Sequence, residues 1–288
     1  MTRTITHKHL KRQFDIFEDT DDLNNFFAEL QFSTLPISVN TENNAFSFPI
    51  LRAGGKSHVP VFTDIHEYNK FDFGENFIVL PNDFSFYIEL LEEDIDGIII
   101  DAEGEKFPIT KEIGMFIKPN HTFDCNKHAF TENEIKEIKN SISNTDLEEF
   151  LKDEFNHWDY ESLMDLLLKS NLFRVGLSKN ELEAENGIIC LENNLPAVIS
   201  TRFSESYALI YTSENEVKPK INPMHLYIQL VNLPEFIYRV LLDDLDGIIL
   251  NENSQNITIP RESLLDFMRD FDCPNSNCYD DYAFVLGE

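Results

Sequence analysis

The sequence predicts an α+β protein in which one type of domain occurs twice in tandem, each copy having a mixed or antiparallel sheet with flanking helices. Two observations lead to this prediction. The stretch 84–112 is repeated without a gap as residues 234–262, 150 residues further on (247 − 97). Hydrophobic residues make up 42 % of the 288 residues, including 25 Phe, which is enough apolar material for globular cores.

The repeated stretch predicts a helix, a turn, a buried strand, a second turn and another strand. In the first copy, Asp94, Asp96 and Gly97 precede a continuous apolar run, 98–100. Short apolar runs rich in β-branched residues are typical of strands buried on both faces. A side chain in place of the glycine is expected to be costly at this turn. The second copy repeats the pattern with Asp244, Asp246 and Gly247.

Upstream of this stretch the copies match more loosely. Residues 58–63 resemble residues 207–212 at a spacing of 149, and both predict a strand followed by a polar turn. Each copy is expected to open with an amphipathic helix, because apolar residues recur at helical spacing after Asp22 and after Asp159. Further strands are predicted at 35–39 and 46–51 in the first copy, and at 172–177 and 187–191 in the second.

The predicted domain boundaries follow from the repeat. Residues 1–120 form the first copy, residues 121–158 a helical linker, and residues 159–288 the second copy with a C-terminal tail. Apolar residues at helical spacing indicate one or two helices in the linker. These helices are expected either to pack between the copies or to open the second one. The stretch 282–286 predicts an additional strand in the tail.

The order of these elements resembles a known domain. A strand at 59–64, a helix, the Asp-Gly-Ile-Ile-Ile segment 96–100 and a short hairpin are similar to the N-terminal domain of the SseB family, the bacterial enhanced serine sensitivity proteins. The resemblance covers residues 20–117 and, more loosely, 160–268. The family carries Asn-Pro-Gly after the apolar strand, and both copies lack that proline. The resemblance implies this fold and a bacterial, cytoplasmic origin, and it supplies no catalytic residues.

The net charge of −29, from 52 acidic and 23 basic residues, bears on the partners. Such a chain repels phosphate backbones and anionic lipid surfaces, so neither nucleic acid nor membrane is expected as a partner. Complementary charge favours a basic protein partner, although acidity also serves solubility. We find no secretory signal and no apolar run of about 18 residues, so a cytoplasmic location is expected.

No catalytic motif stands out. The sequence has no Gly-rich nucleotide loop and no His-Glu-x-x-His, and Gly54-Gly55 is interpreted as a turn between two strands. The spacing of His and Cys residues is looser than in zinc sites, so neither a metal nor a cofactor is expected. The residues weighed for a metal site are His121, Cys125, His128, Cys273 and Cys278.

The candidate binding residues are the acidic turn and its glycine in each copy, namely Asp94, Asp96, Gly97, Asp244, Asp246 and Gly247. Asp96 has two interpretations: contact with a basic partner, or a hydrogen bond to the turn backbone. The sequence favours a non-enzymatic, cytoplasmic protein-binding module, in one form an immunity or antitoxin-like protein that covers a basic toxin. The alternative is an enzyme with a small-molecule site in the cleft between the two copies.

Overall fold

The fold is α+β, as predicted, and the chain divides into two compact units, Met1–Asn120 and His121–Glu288. The computed structural model describes residues 7–20, 23–40, 47–74, 76–92, 95–102, 107–117, 133, 137, 144–152, 159–178, 188–190, 198–213, 216–217, 225–270 and 282–285.

The first unit contains five described helices and six described strands. The helices are α1 (Lys8–Thr20), α2 (Leu23–Gln31), α3 (Ile65–Tyr68), α4 (Phe84–Glu92) and α5 (Lys111–Phe116). The strands are β1 (Thr34–Asn40), β2 (Leu51–Ala53), β3 (Lys56–Val61), β4 (Phe77–Asp83), β5 (Gly97–Ile100) and β6 (Phe107–Thr110).

These strands form one mixed sheet in the order β4-β1-β3-β5-β6, with β2 paired to β3. The β3–β5 pair is parallel and the other pairs are antiparallel. Alternate residues of β1 point to one face, where they join the core with α2 and α4. Phe26 and Leu30 of α2 and Tyr87 and Leu91 of α4 are fully buried there. Burial of these side chains is the main force that holds the helices on the sheet.

The second unit contains four further described helices and eight strands. The helices are α6 (Thr145–Lys152), α7 (Tyr160–Lys169), α8 (Leu233–Leu242) and α9 (Arg261–Asp270). The strands are β7 (Phe173–Ser178), β8 (Ile188–Cys190), β9 (Ile199–Arg202), β10 (Glu205–Ile210), β11 (His225–Leu230), β12 (Gly247–Leu250), β13 (Ile257–Pro260) and β14 (Tyr282–Val285).

In the described part of this unit the strands form two sheets, β13-β12-β10-β9 and β7-β11-β14-β8. The β10–β12 pair is parallel, as is β3–β5 in the first unit. The sheets adjoin where Phe173 of β7 exchanges two backbone hydrogen bonds with Tyr211, with N···O distances of 3.1 and 2.8 Å. The first unit has a similar contact in its single sheet, from the N–H of Phe62 to the carbonyl of Pro36 at 3.0 Å.

One predicted equivalence differs from the structure. The stretch 187–191 was expected to correspond to 46–51, but β8 lies in the other sheet, paired with β14. The strand that forms a hairpin with β10, as β2 does with β3, is β9. The additional strand expected at 282–286 is present as β14.

Part of the predicted helical linker is described. Asn144, just before α6, donates from Nδ2 to the carbonyls of Asn171 and Thr212 at 3.0 and 2.7 Å, and accepts from the Asn171 N–H at 2.9 Å. These bonds fix the start of α6 to the second unit. Further on, α7 begins after Asp159, whose carboxylate caps it by accepting from the Glu161 N–H.

Candidate functional site

The predicted acidic residues lie at the amino ends of β5 and β12. Asp96 accepts a hydrogen bond from the backbone N–H of Ser57 at 2.7 Å, and its own N–H donates to the Ser57 carbonyl at 2.9 Å. Asp246 makes the same two bonds with Ser206, at 2.6 and 2.8 Å. Each carboxylate therefore closes the beginning of a parallel strand pair by bonding the neighbouring strand, whereas one interpretation of Asp96 expected a hydrogen bond to the turn backbone.

The glycines that follow these aspartates are required by close packing. A Cβ at Gly97 would lie 2.6 Å from the carbonyl oxygen of Ile109 on β6. A Cβ at Gly247 would overlap the carbonyl oxygen of Ile259 on β13, and Gly247 has a φ of +149°, which L side chains rarely adopt. Both glycines are the first residues of their strands, so the predicted cost of a side chain has a specific origin in the neighbouring strand.

The remaining predicted binding residues are Asp94 and Asp244. Asp94 lies outside the described residues. Asp244 has a φ of +53°, and its N–H donates to the Leu241 carbonyl at 3.1 Å, so it ends α8 in a left-handed turn. Binding by the acidic turns stays a prediction, because the bonds that the structure gives them belong to the fold.

Sequence reasoning missed a second pair of polar residues, at the carboxyl ends of the same strands. Asp101 accepts from the N–H and the hydroxyl of Thr63, at 2.9 and 2.6 Å. Asn251 accepts from the N–H of Thr212 at 3.0 Å and donates from Nδ2 to the Thr212 hydroxyl at 2.9 Å. Both have left-handed backbone, with φ values of +49° and +50°, which Asp and Asn tolerate.

Charged side chains surround Asp101 in the first unit. Lys11 forms an ion pair with Asp64, and Lys70 forms one with Glu67. Burial alone would raise the pKa of Asp64, but the Lys11 ammonium and the N–H groups at the start of α3 outweigh it, so this pKa lies below its ordinary value. Burial raises the pKa of Asp101, although both bonds from Thr63 oppose the rise. The carboxylates around Asp101 are therefore largely neutralised by the two lysines beside them.

The substitution Asp101→Asn is expected to stabilise the protein at neutral pH, by up to about 1 kcal/mol. A raised carboxyl pKa means that the folded state binds the proton more tightly than the unfolded state, so stability falls as pH rises through the interval between the two pKa values. Asparagine removes that loss and can bond Thr63 as Asn251 bonds Thr212. Urea unfolding at several pH values tests this. A gain that is equal at acidic and neutral pH would contradict it.

A third feature lies at the turn between β9 and β10. Phe203 and Ser204 occupy the two central positions with φ values of +49° and +74°. Phe203 is fully exposed, and a bulky residue in left-handed backbone is uncommon. The matching turn between β2 and β3 carries Gly54 and Gly55, with φ values of +60° and +81°. Glycine is the residue that such a turn ordinarily favours, so the conformation of the turn does not account for a phenylalanine at position 203.

The hairpin is held from one side. Ser200 donates to Glu252 at 2.6 Å, and Arg202 donates to the side-chain carbonyl of Asn256 at 2.6 Å. The Arg202 guanidinium also lies 3.7 Å from the Glu252 carboxylate. These contacts fasten alternate residues of β9 to the turn after β12. Phe203 is therefore presented from a fixed strand.

A sequence signal for Phe203 existed. The spacing of 149 residues that aligns 58–63 with 207–212 also aligns Gly54-Gly55 with Phe203-Ser204 (203 − 54). An aromatic residue at a glycine turn position conflicts with local preference, and such conflicts concentrate at functional sites.

The described residues contain no group of three or more His, Cys, Asp or Glu side chains placed to hold a metal ion. The five His and Cys residues weighed for a metal site lie outside the described part of the chain. Among the described helices, none combines the length and the apolar character that a bilayer crossing requires.

Comparison with known proteins gives no match: no family model, no curated protein and no solved structure matches this chain. The resemblance to the SseB family stays a prediction.

Proposed function

We propose that this chain is a non-enzymatic protein-binding module that recognises a basic protein partner, with Phe203 as its anchor. The observation that carries the proposal is a fully exposed aromatic ring at a turn position where the other unit has glycine. The two matched units are, in this proposal, diverged copies of one SseB-like domain. The module acts in the cytoplasm, and nucleic acid and membranes are not its partners.

The energetics of Phe203 favour a binding role. Left-handed backbone in a bulky residue costs about 1–3 kcal/mol, and an exposed ring recovers none of it within the isolated chain. Burying a Phe side chain stabilises a complex by about 1.5–3 kcal/mol. Aromatic residues fixed before binding are typical interface anchors, because little side-chain entropy is lost when they dock.

The charge determines the kind of partner. A net charge of −29 speeds the approach of a basic protein and disfavours acidic ones. One form of the proposal is an immunity or antitoxin-like protein that covers a basic toxin. In each form the contact is expected to weaken as salt increases, because exposed charges are screened.

The substitution Phe203→Asn is expected to abolish partner recovery without harming the fold. Asparagine tolerates left-handed backbone, so the variant should be at least as stable as the wild type. Loss of a central aromatic anchor should weaken binding by at least about thirtyfold, the equivalent of 2 kcal/mol. Affinity capture from cells of the source organism, with wild type and variant in parallel, identifies the proteins that depend on Phe203, and titration of a purified one gives the ratio.

The matched control is Ile78→Asn, which removes another exposed apolar side chain, from β4 of the first unit. This variant should recover the same partner as the wild type. Equal recovery by wild type and Phe203→Asn, or dissociation constants within about twofold, would contradict the proposal.

A further inference from the structure

The outer edge of β9 has backbone groups that face away from its hairpin partner. Ser206 of β10 directs its N–H and carbonyl to Asp246, on the opposite side from β9. Thr201 is the residue opposite Ser206 in the hairpin. In an antiparallel pair the two opposed residues either exchange both bonds or neither, so the N–H and carbonyl of Thr201 also point away from β10.

No other described strand pairs with this edge, since β9 ends its sheet in the described part of the chain. Exposed strand edges are templates for pairing with another chain. The edge of β9 therefore offers main-chain hydrogen bonds next to the Phe203 anchor.

The side chains on β9 alternate in a way that suits this use. Ser200 and Arg202 point to one face and are held by Glu252. Ile199, Thr201 and Phe203 alternate with them, and all three are exposed. An added strand would pack its own alternate side chains beside this row, which gives specificity as well as main-chain affinity.

Charge decides which chain fits. Of the charged groups that make contacts in the hairpin and the turn after β12, Glu205 and Glu252 are carboxylates and Arg202 is a cation. Glu205 raises the pKa of Tyr207 to about 12 by accepting a hydrogen bond from its hydroxyl. A second copy of this chain, also at −29, would be repelled.

We infer that β9 binds an extended, basic segment of a partner protein by β-strand addition, with Phe203 docked at the end of the added strand. The inference rests on the proposed function and names how that partner is held.

The test uses a phage-displayed library of random peptides about eight residues long, which is enough to cover β9 and its turn. Selection is on the wild-type protein, with depletion on Phe203→Asn. The expected products are peptides with alternating apolar residues, rich in Lys or Arg. Synthetic versions are then measured by fluorescence anisotropy against wild type and Thr201→Pro. Proline removes only an N–H that β10 does not use, so β9 should persist and peptide affinity should fall at least about tenfold.

The matched control is Arg52→Pro, the corresponding edge position of β2 in the first unit, which should leave affinity unchanged. A second measurement is independent of folding: N-methylation of alternate peptide residues should abolish binding, and methylation of the intervening ones should not. Peptides that require Phe203 but tolerate Thr201→Pro and every N-methyl group would overturn strand addition and leave the proposed function intact. Failure to enrich any basic peptide would also overturn strand addition, while the capture experiment judges the proposed function by itself.

Discussion

The substitution Gly247→Ala is expected to lower the free energy of unfolding by about 2–6 kcal/mol, since two costs of about 1–3 kcal/mol each coincide there. The φ of +149° lies in a region that L side chains rarely adopt. The added Cβ would also overlap the carbonyl oxygen of Ile259, which is backbone on the paired strand β13 and has little freedom to move. Urea unfolding followed by circular dichroism measures the change.

Two other glycines allow the cost of backbone strain to be measured separately from the cost of the contact with the neighbouring strand. Gly74 has a φ of +83° and nothing within 4 Å of an added Cβ, so Gly74→Ala should cost only about 1–2 kcal/mol for backbone strain. Gly97 lacks the left-handed φ but would place its Cβ 2.6 Å from the Ile109 carbonyl oxygen, so it reports the contact alone. If the free-energy loss of Gly247→Ala is no larger than that of Gly74→Ala or Gly97→Ala, the neighbouring strand β13 has moved to make room for the Cβ.

Much of each unit could be predicted from sequence, because its elements depend on local patterns. The apolar runs 98–100 and 248–250 were predicted as buried strands and form β5 and β12. The amphipathic pattern after Asp22 and Asp159 predicted α2 and α7, and both are confirmed. In these segments the hydrophobic periodicity of a short stretch agrees with the burial of its residues. The stretch alone is therefore sufficient to predict the helix or strand.

The elements that sequence reasoning missed depend on contacts between distant segments. Pro81 and Asn82 interrupt the strand pattern of β4, yet β4 forms the edge of the sheet beside β1 over seven residues. Edge strands tolerate proline because one side needs no donor. Asp101 looked like part of a polar turn, and its role appears only when β3 brings Thr63 alongside. Tertiary pairing overrides local preference in both cases.

Negative charge is unfavourable at a helix C-terminus, yet acidic residues follow α8. Asp243, Asp244 and Asp246 all lie in the turn that follows the helix. The structure places the buried guanidinium of Arg261 against this turn. Its hydrogen bond to the Leu245 carbonyl falls between Asp244 and Asp246 in the chain, so the buried cation lies beside the acidic turn. The acidic turn therefore has a structural neighbour in Arg261, and binding of a partner by this turn stays a prediction.

The substitution Arg261→Ala is expected to lower the free energy of unfolding by about 3 kcal/mol. The guanidinium donates to the Leu245 carbonyl at 3.0 Å and to the Leu241 carbonyl at 3.1 Å. The Leu241 carbonyl keeps the Asp244 N–H as a donor, but truncation removes the donor of the Leu245 carbonyl just after α8 and leaves that group buried and unsatisfied. Three aspartates would then follow the helix end without the buried guanidinium beside them. Urea unfolding gives the magnitude, and hydrogen exchange should place the lost protection in α8 and β12.

The corresponding residue of the first unit, Lys111, is only half-buried, so Lys111→Ala is the matched control, with an expected loss below about 1 kcal/mol. The Arg261→Ala loss should change little with salt, because a buried charge is weakly screened. A loss that disappears at high salt would identify Arg261 as a surface charge partner of the aspartates. A loss that persists would establish it as the cap that allows an acidic turn to follow α8.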